Sequence, residues 1–114
     1  MATSVIVTGG AGFIGANLTR KLLALGYKVI VIDDLSSGRN LIPGAEMIVS
    51  RIGDIEASVL KDKEIETVFH LAAQIDVKKS VADPVLDAEQ NIIEFLRFHR
   101  LCREIGVKKI IFAS

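Results

Sequence analysis

The sequence predicts an α/β fold, a doubly wound parallel sheet of about five strands with helices on both faces. Two observations lead to this fold class. Short apolar and β-branched runs alternate along the chain with longer segments whose apolar residues recur at helical spacing. In addition, the first apolar run leads directly into a cluster of glycines. Right-handed crossovers in a doubly wound sheet give the strand order 3-2-1-4-5, which reverses beside the first strand.

The individual elements follow from the same patterns. Strands are predicted over residues 4–8, 28–32, 46–50, 67–72 and 109–114. Helices are predicted over residues 12–25, 55–61 and 84–105, the second of them short and weakly patterned. Gly26 and Gly106 end the first and third helices, while Asp83 and Pro84 supply the N-cap and the first residue of the third. The stretch 35–44, rich in Ser, Gly and Pro, is predicted to be a loop.

Composition limits the class of protein. The chain has 114 residues, half of them apolar, which is the size of one domain over residues 1–114. Lys+Arg and Asp+Glu both number 14, and this balance argues against a nucleic-acid or polybasic membrane surface. No apolar run approaches the ~20 residues of a membrane span, and the single Cys102 cannot form an internal disulfide. We therefore expect a cytoplasmic protein without a nucleic-acid or membrane partner.

The first strand runs into the segment TGGAGFIG, which holds four glycines. Gly10, Gly12 and Gly15 have the spacing G-x-G-x-x-G. Gly9, with the last two of these, also gives G-x-x-G-x-x-G. In such a turn one glycine permits the sharp bend, another lets the backbone approach a pyrophosphate, and the last lets the helix lie near the sheet. The helix N-terminus then offers N–H groups and partial positive charge to phosphates, so the segment predicts a Rossmann-type dinucleotide site.

A carboxylate follows at the position that such a site requires. Asp33 closes the second strand, 18 residues after Gly15. There it can accept two hydrogen bonds from the adenosine ribose diol, and it would repel a 2′-phosphate, which favours NAD over NADP. A tight turn with a surface aspartate is the alternative interpretation. It is disfavoured because the glycines follow a strand, open a helix and precede a second strand that ends in an acid.

Taken with Asp33, the TGGAGFIG segment resembles the extended short-chain dehydrogenase/reductase family, and within it the NAD-dependent epimerases and dehydratases of the UDP-glucose 4-epimerase type. Further segments carry the likeness over the whole chain: DDLSSG at 33–38, GDI at 53–55, HLAAQ at 70–74, Asn91 on the long helix and IFAS at 111–114. Besides the glycines and Asp33, the resemblance implies NAD contacts from Phe13, Ile14, Asp34, Leu35, Ser36, Gly38, Asp54, Ile55, Leu71, Ala72, Ala73, Gln74 and Asn91. In that family the Asp and apolar residue of GDI hold the adenine.

Two departures from the family pattern matter. Glu94 and Phe95 stand where the family often has Gly-Thr. The family's catalytic Ser after the fifth strand and its Tyr-x-x-x-Lys pair are missing, because the chain ends at Ser114 and its one tyrosine, Tyr27, has no lysine four positions later. The resemblance implies an NAD-binding part of a UDP-sugar-modifying enzyme, with no catalytic residue in this chain, which is expected to be inactive by itself. A 4,6-dehydratase and a non-catalytic dinucleotide-binding module are the alternatives.

The remaining polar and sulfur side chains have mostly structural interpretations. His70, at the end of a buried strand, is expected to be hydrogen-bonded structure rather than an acid or base. His99 is expected on a solvated face, and Cys102 as a packed thiol with no metal ligands at suitable spacing. In the resembled family the long helix at 84–105 forms a homodimer, so part of its apolar stripe is expected to meet a partner.

Overall fold

The sheet is organised around its first strand. The protein is described by a computed structural model, which covers residues 3–35, 41–71 and 84–112. Within these residues the strands are β1 (Ser4–Thr8), β2 (Lys28–Asp33), β3 (Glu46–Val49), β4 (Ile65–His70) and β5 (Lys109–Phe112). The helices are α1 (Phe13–Ala24), α2 (Ala57–Leu60) and α3 (Pro84–Glu104). All neighbouring strands are parallel in the order β3-β2-β1-β4-β5, which confirms the predicted sheet.

Alternate residues of the central strands enter two separate cores. Val5 and Val7 of β1 pack with Leu22 of α1 on one face of the sheet. Ile6 of the same strand packs on the other face with Phe98 of α3. Because successive side chains of a strand point to opposite faces, the sheet must be covered on both sides. This places α1 and α3 on opposite faces, and the strand order reverses at β1, where a doubly wound fold binds its ligand.

The predicted bounds of the fourth strand, 67–72, are wrong at both ends. Pairing with β1 sets the observed bounds, since Ile65 lies opposite Ser4 and His70 lies opposite Thr8. The apolar pattern started the strand at Thr67 because it skips Glu66, which belongs to the observed strand but falls at a register shift where Ser4 pairs with Ile65 and Val5 pairs with Thr67.

The weak helix predicted over 55–61 is also shorter than expected. It is reduced to α2, which lies between two 3-10 turns at Ile52–Asp54 and Lys61–Lys63. The other helices and strands agree with prediction to within one residue at each end, with β5 followed to Phe112. Asp83, the predicted N-cap of α3, lies outside the described residues, as do residues 113 and 114.

Cys102 belongs to the core beneath α3. The side chain is buried against this core, and burial raises the pKa of its thiol to about 11. The reactive thiolate is therefore disfavoured, in keeping with the interpretation as a packed thiol. Across residues 3–35, 41–71 and 84–112, no group of three His, Cys, Asp or Glu side chains is arranged to hold a metal ion.

The outer side of α3 and the edge strand β5 leave apolar surface uncovered. Val85, Ile92 and Leu96 of α3 are exposed, as is Phe112 of β5. The three α3 residues are seven and four positions apart and so lie on one side of the helix, and an exposed apolar stripe of this kind is typical of a face that packs against another element or chain. No helix in the described part of the chain is long and apolar enough to cross a membrane.

Candidate dinucleotide-binding site

The turn after β1 carries the glycines and is closed by backbone hydrogen bonds. Gly9 has a φ of 73°, a left-handed conformation that disfavours any residue with a Cβ. Its N–H donates to the carbonyl of Ile32 at 2.8 Å, which fastens the turn to the end of β2. The N–H of Gly12 donates back to the Gly9 carbonyl at 3.2 Å. The chain therefore passes from β1 directly into the first turn of α1.

Gly15 and Gly12 are glycines for different reasons. A Cβ at Gly15 would lie 2.7 Å from the Cα of Gly10 and closer still to the Gly9 carbonyl oxygen. Packing of helix on turn thus requires glycine at position 15. A Cβ at Gly12 would meet only the Gly9 carbonyl oxygen, at an ordinary contact distance of 3.5 Å. Its φ of −77° and ψ of 173° suit any residue, so within the described residues no contact requires a glycine at position 12.

The N-terminus of α1 is suited to an anion. Gly12 is its N-cap, with no side-chain hydrogen bond to the first amides and no acidic residue in the first turn. The first N–H groups of a helix lack intrahelical partners, and the helix dipole makes that end partly positive. Phe13 and Ile14 lie at the same end and are 80% and 63% exposed. Two predicted cofactor contacts are thus placed where a ligand at the turn would cover them.

Asp33 is a buried carboxylate that joins the glycine turn to the end of β2. Its Oδ2 accepts a hydrogen bond from the backbone N–H of Ala11 at 2.9 Å. Its Oδ1 accepts one from the N–H of Leu35 at 2.7 Å. One charge-assisted bond on each oxygen fixes the plane of the carboxylate, while each oxygen keeps a further lone pair for another donor. The sequence predicted Asp33 as a ligand group but not its two backbone donors.

Leu35 adopts an unusual backbone conformation beside this carboxylate. Its φ is 63°, in the left-handed region that a leucine rarely enters. The hydrogen bond from its N–H to Asp33 compensates part of the cost of that conformation. Asp34, between these two residues, is exposed. The sequence did not predict this conformation, because leucine, unlike glycine or asparagine, is not a residue type that favours a positive φ.

A second part of the candidate site is the 3-10 turn at Ile52–Asp54, which follows β3. Asp54 is exposed, Ile55 is half-buried, and the Asp54 N–H donates to the Arg51 carbonyl at 3.1 Å. The Ser50 N–H donates to the Asp33 carbonyl at 3.0 Å, so this segment begins at the same edge of the sheet as Asp33. The structure therefore brings the predicted ribose and adenine residues to one edge.

Thr8 links the ends of β1 and β4 beneath this edge. Its hydroxyl accepts a hydrogen bond from the N–H of Leu71 at 2.9 Å and lies 3.1 Å from Nδ1 of His70. Leu71, a predicted cofactor residue, is thus held beside the glycine turn. Thr8 was not predicted to have this role, although its place at the end of β1 was.

His70 is packed among aromatic rings rather than exposed to a ligand. It is 1% exposed, stacks on Phe98 at 5.6 Å and meets the edges of Phe95 and Phe112. Its Nε2 is buried without a hydrogen-bond partner among the described residues. Burial lowers the pKa of His70 below the ordinary value of 6.5. This packing fits the structural interpretation of His70. Phe95, which contacts it, is one of the two residues that stand where the resembled family often has Gly-Thr.

The lowered pKa of His70 predicts a pH dependence of stability. Well above pH 6.5 the residue is neutral in both the folded and the unfolded state and contributes no slope. As pH falls through 6.5 the unfolded state binds the proton first, so the free energy of unfolding should fall until the native residue also titrates. Urea unfolding between about pH 8 and pH 5 should show this decline in the wild type and lose it in His70→Phe, which preserves an aromatic ring. His99→Gln, which removes an exposed histidine, should keep the decline; an equal slope in His70→Phe would contradict the assignment.

Some predicted cofactor residues lie outside the described part of the chain. These are Ser36, Gly38, Ala72, Ala73 and Gln74, together with the side chain of Asn91. The contacts predicted for them remain predictions.

One contact at the edge of the site was not predicted. Arg51 and Glu94 form a two-point ion pair, with Nε–Oε1 at 2.7 Å and the second guanidinium nitrogen donating to Oε2 at 2.9 Å. It joins the start of the 3-10 turn to α3. Glu94 stands where the resembled family often has a glycine, and this departure was the only sign in the sequence of an unusual contact at that position.

Together, a parallel sheet, a glycine turn at its reversal point and a fixed carboxylate at the neighbouring strand define a dinucleotide-binding fold. The chain matches the NAD dependent epimerase/dehydratase family over residues 5–114 and belongs to that family.

Similar proteins are longer than this chain. The UDP-glucose 4-epimerase of Mycolicibacterium smegmatis is 43% identical over 117 residues, which cover 96% of this chain and 37% of that protein. The structure of UDP-glucose 4-epimerase from Thermotoga maritima with UDP-glucose is similar at a TM-score of 0.88 and 45% identity, covering 98% of this chain and 38% of that one. The structure of UDP-glucose 4-epimerase from Thermus thermophilus in complex with NAD is similar at a TM-score of 0.86 and 40% identity, covering 98% of this chain and 37% of that one. The chain therefore spans a little over a third of the length of these relatives.

Proposed function

We propose that residues 1–114 form an NAD-binding domain that discriminates against NADP through Asp33. The observation that carries this proposal is the position of the Asp33 carboxylate, fixed by the Ala11 and Leu35 amides at the end of β2. Two vicinal hydroxyls can donate to its remaining lone pairs, one to each oxygen. A 2′-phosphate would place a second anion against this carboxylate, whose two donors are neutral backbone amides, and such a like-charge contact costs several kcal/mol.

The glycine turn supplies the complementary anion site. The open space beside Gly12 admits a pyrophosphate against the backbone, where a Cβ would intrude. The uncapped N-terminus of α1 stabilises its charge, and the exposed side chains of Phe13 and Ile14 would be covered by the bound ligand. The residues present thus fit the pyrophosphate and the adenosine ribose of NAD.

The rest of the cofactor is assigned by position. Asp54 and Ile55 are proposed to hold the adenine, because their turn begins beside Asp33. Leu71, with Ala72, Ala73 and Gln74 after β4, is proposed to line the ribose and pyrophosphate. The same assignment gives contacts to Asp34, Leu35, Ser36, Gly38 and Asn91.

For the whole protein we propose a UDP-glucose 4-epimerase activity, in which bound NAD reversibly oxidises the sugar at C4. The chain contributes cofactor binding and orientation, since its 114 residues contain no Tyr-x-x-x-Lys pair. It should therefore bind NAD without turnover. The proposal includes a UDP-sugar as substrate, a place in galactose metabolism, and the cytoplasm as location, where the free thiol of Cys102 would stay reduced. It also includes a homodimer through the 84–105 helix, supported by the exposed Val85, Ile92 and Leu96.

Calorimetry tests the proposed NAD binding of this chain, and a turnover assay tests the proposed activity of the whole protein. We expect the 114-residue chain to bind NAD and ADP-ribose, and to bind NADP at least about tenfold more weakly. The protein encoded by the complete reading frame should convert UDP-galactose to UDP-glucose in a coupled assay. Activity only on a dTDP- or GDP-sugar would contradict the UDP assignment. A reading frame that stops after Ser114 would favour the non-catalytic module, and absence of NAD binding would contradict the site itself.

A further inference from the structure

The turn at Ile52–Asp54 lies against α3 with almost no space between them. A Cβ at Gly53 would lie 2.8 Å from Cγ of Glu94, 3.1 Å from its Cβ and 3.2 Å from its Cα. The last of these atoms belongs to the helix backbone, so the turn and the helix meet at main-chain distance. The position of the turn is therefore set by α3 as well as by β3.

Arg51 bonds to the helix through its side chain and to the turn through its backbone. Its guanidinium grips the Glu94 carboxylate at two points, 2.7 Å and 2.9 Å, in the fork geometry that fixes both direction and distance. Its carbonyl accepts the Asp54 N–H at 3.1 Å and so closes the turn. A single residue thus connects α3 to the backbone of Asp54.

The environment of the pair favours a fixed geometry. The Glu94 side chain is 17% exposed and is packed over Gly53, whereas Arg51 lies at the surface. The Glu94 carboxylate raises the pKa of Arg51 above its ordinary value. An isolated surface pair contributes little to stability, so an effect on the position of the turn is more important here than an effect on folding.

We propose that Arg51 and Glu94 are a positioning pair that sets the place of Asp54 relative to α3 and thereby the preference of this domain for an adenine base. The inference rests on the proposed NAD site. Asp54 can accept a hydrogen bond from the exocyclic amino group of adenine only if the turn holds its carboxylate at the base edge. Release of Arg51 frees the turn to move away from the helix.

The test compares NAD with nicotinamide hypoxanthine dinucleotide, which differs in carrying an oxo group in place of that amino group. Wild-type protein should bind NAD more tightly. In Glu94→Gln and in Arg51→Met, NAD affinity should fall by roughly tenfold or more, the size of one hydrogen bond to a charged group, while the analogue should change much less. The ratio of the two affinities should therefore approach one. A purely structural role would weaken both dinucleotides equally and leave the ratio unchanged.

A matched ion pair at the other end of the sheet supplies the control. Lys63 donates to both carboxylate oxygens of Glu46 at 3.0 Å, at the start of β3. Glu46→Gln should change neither affinity. The charge exchange Arg51→Glu/Glu94→Arg should restore the NAD preference in part, and circular dichroism should show that each variant is folded.

The outcomes separate the inference from the function on which it rests. Failure of the wild type to bind NAD would overturn both. Wild-type binding with an unchanged ratio in folded Glu94→Gln and Arg51→Met would overturn only the role of the pair. If the ratio of NAD affinity to analogue affinity fell equally in Glu46→Gln, the role of the pair would also be overturned, because loss of any carboxylate charge would then have the same effect.

Discussion

Gly12→Ala is expected to abolish most of the NAD binding of this chain while leaving its fold intact, and Gly15→Ala is expected to damage both. At position 12 a Cβ meets the protein only at 3.5 Å, and the backbone dihedrals suit alanine. The same methyl group would occupy the space proposed for the pyrophosphate. An overpacked contact costs about 1–3 kcal/mol, which corresponds to a loss of roughly 5- to 150-fold in affinity.

At position 15 the clash is with the protein itself. The new Cβ would overlap the Gly9 carbonyl and lie 2.7 Å from the Gly10 Cα, so α1 and the turn would have to separate. We expect a loss of about 3 kcal/mol in the free energy of unfolding, because rigid backbone must move. Urea unfolding and calorimetry of both variants measure the two effects. Equal NAD affinity in Gly12→Ala and wild type would contradict the phosphate assignment, and an unchanged stability of Gly15→Ala would contradict the packing.

Asp33→Asn should weaken NAD binding by about 100-fold and relax the discrimination against NADP, because two ribose hydrogen bonds to a charged acceptor are weakened, each worth about 1.5–3 kcal/mol. In addition, the side-chain NH₂ of the asparagine would face the backbone N–H of either Ala11 or Leu35, and because two donors cannot bond, one of the two hydrogen bonds that hold the turn is lost. With the negative charge gone, NADP should lose less affinity than NAD, or gain some. Calorimetry with each dinucleotide measures both affinities.

The control for charge is Asp62→Asn. Asp62 is exposed and lies with Thr3 and Lys28 at the amino ends of the strands, opposite the candidate site. This variant removes the same charge and should bind both dinucleotides as the wild type does. An Asp33→Asn variant that keeps the wild-type ratio of NAD to NADP affinity would refute the role of Asp33. Circular dichroism shows whether a loss of affinity comes with a loss of fold.

The fold and the residues of the site were accessible from the sequence to different extents. The central strands, the glycine turn and the acid at the end of β2 were predictable, because hydrophobic periodicity and glycine spacing are local properties. The strand order followed from the rule that crossovers in a doubly wound sheet are right-handed. The limits of β4 were not predictable, because the ladder with β1 decides them. Glu94 stood out from the family pattern, yet its partner Arg51 lies 43 residues away, and such a distance carries no local signal.

The sequence by itself determined the class of sheet, the family and the candidate cofactor, since each depends on residue types at fixed spacing along the chain. Only the tertiary structure decided that Gly15 serves packing while Gly12 leaves space, that Asp33 is held by two amides, and that Leu35 takes a left-handed conformation. The physical reason is that clashes, hydrogen bonds and backbone strain depend on distances between segments. Those distances exist only once the chain has folded.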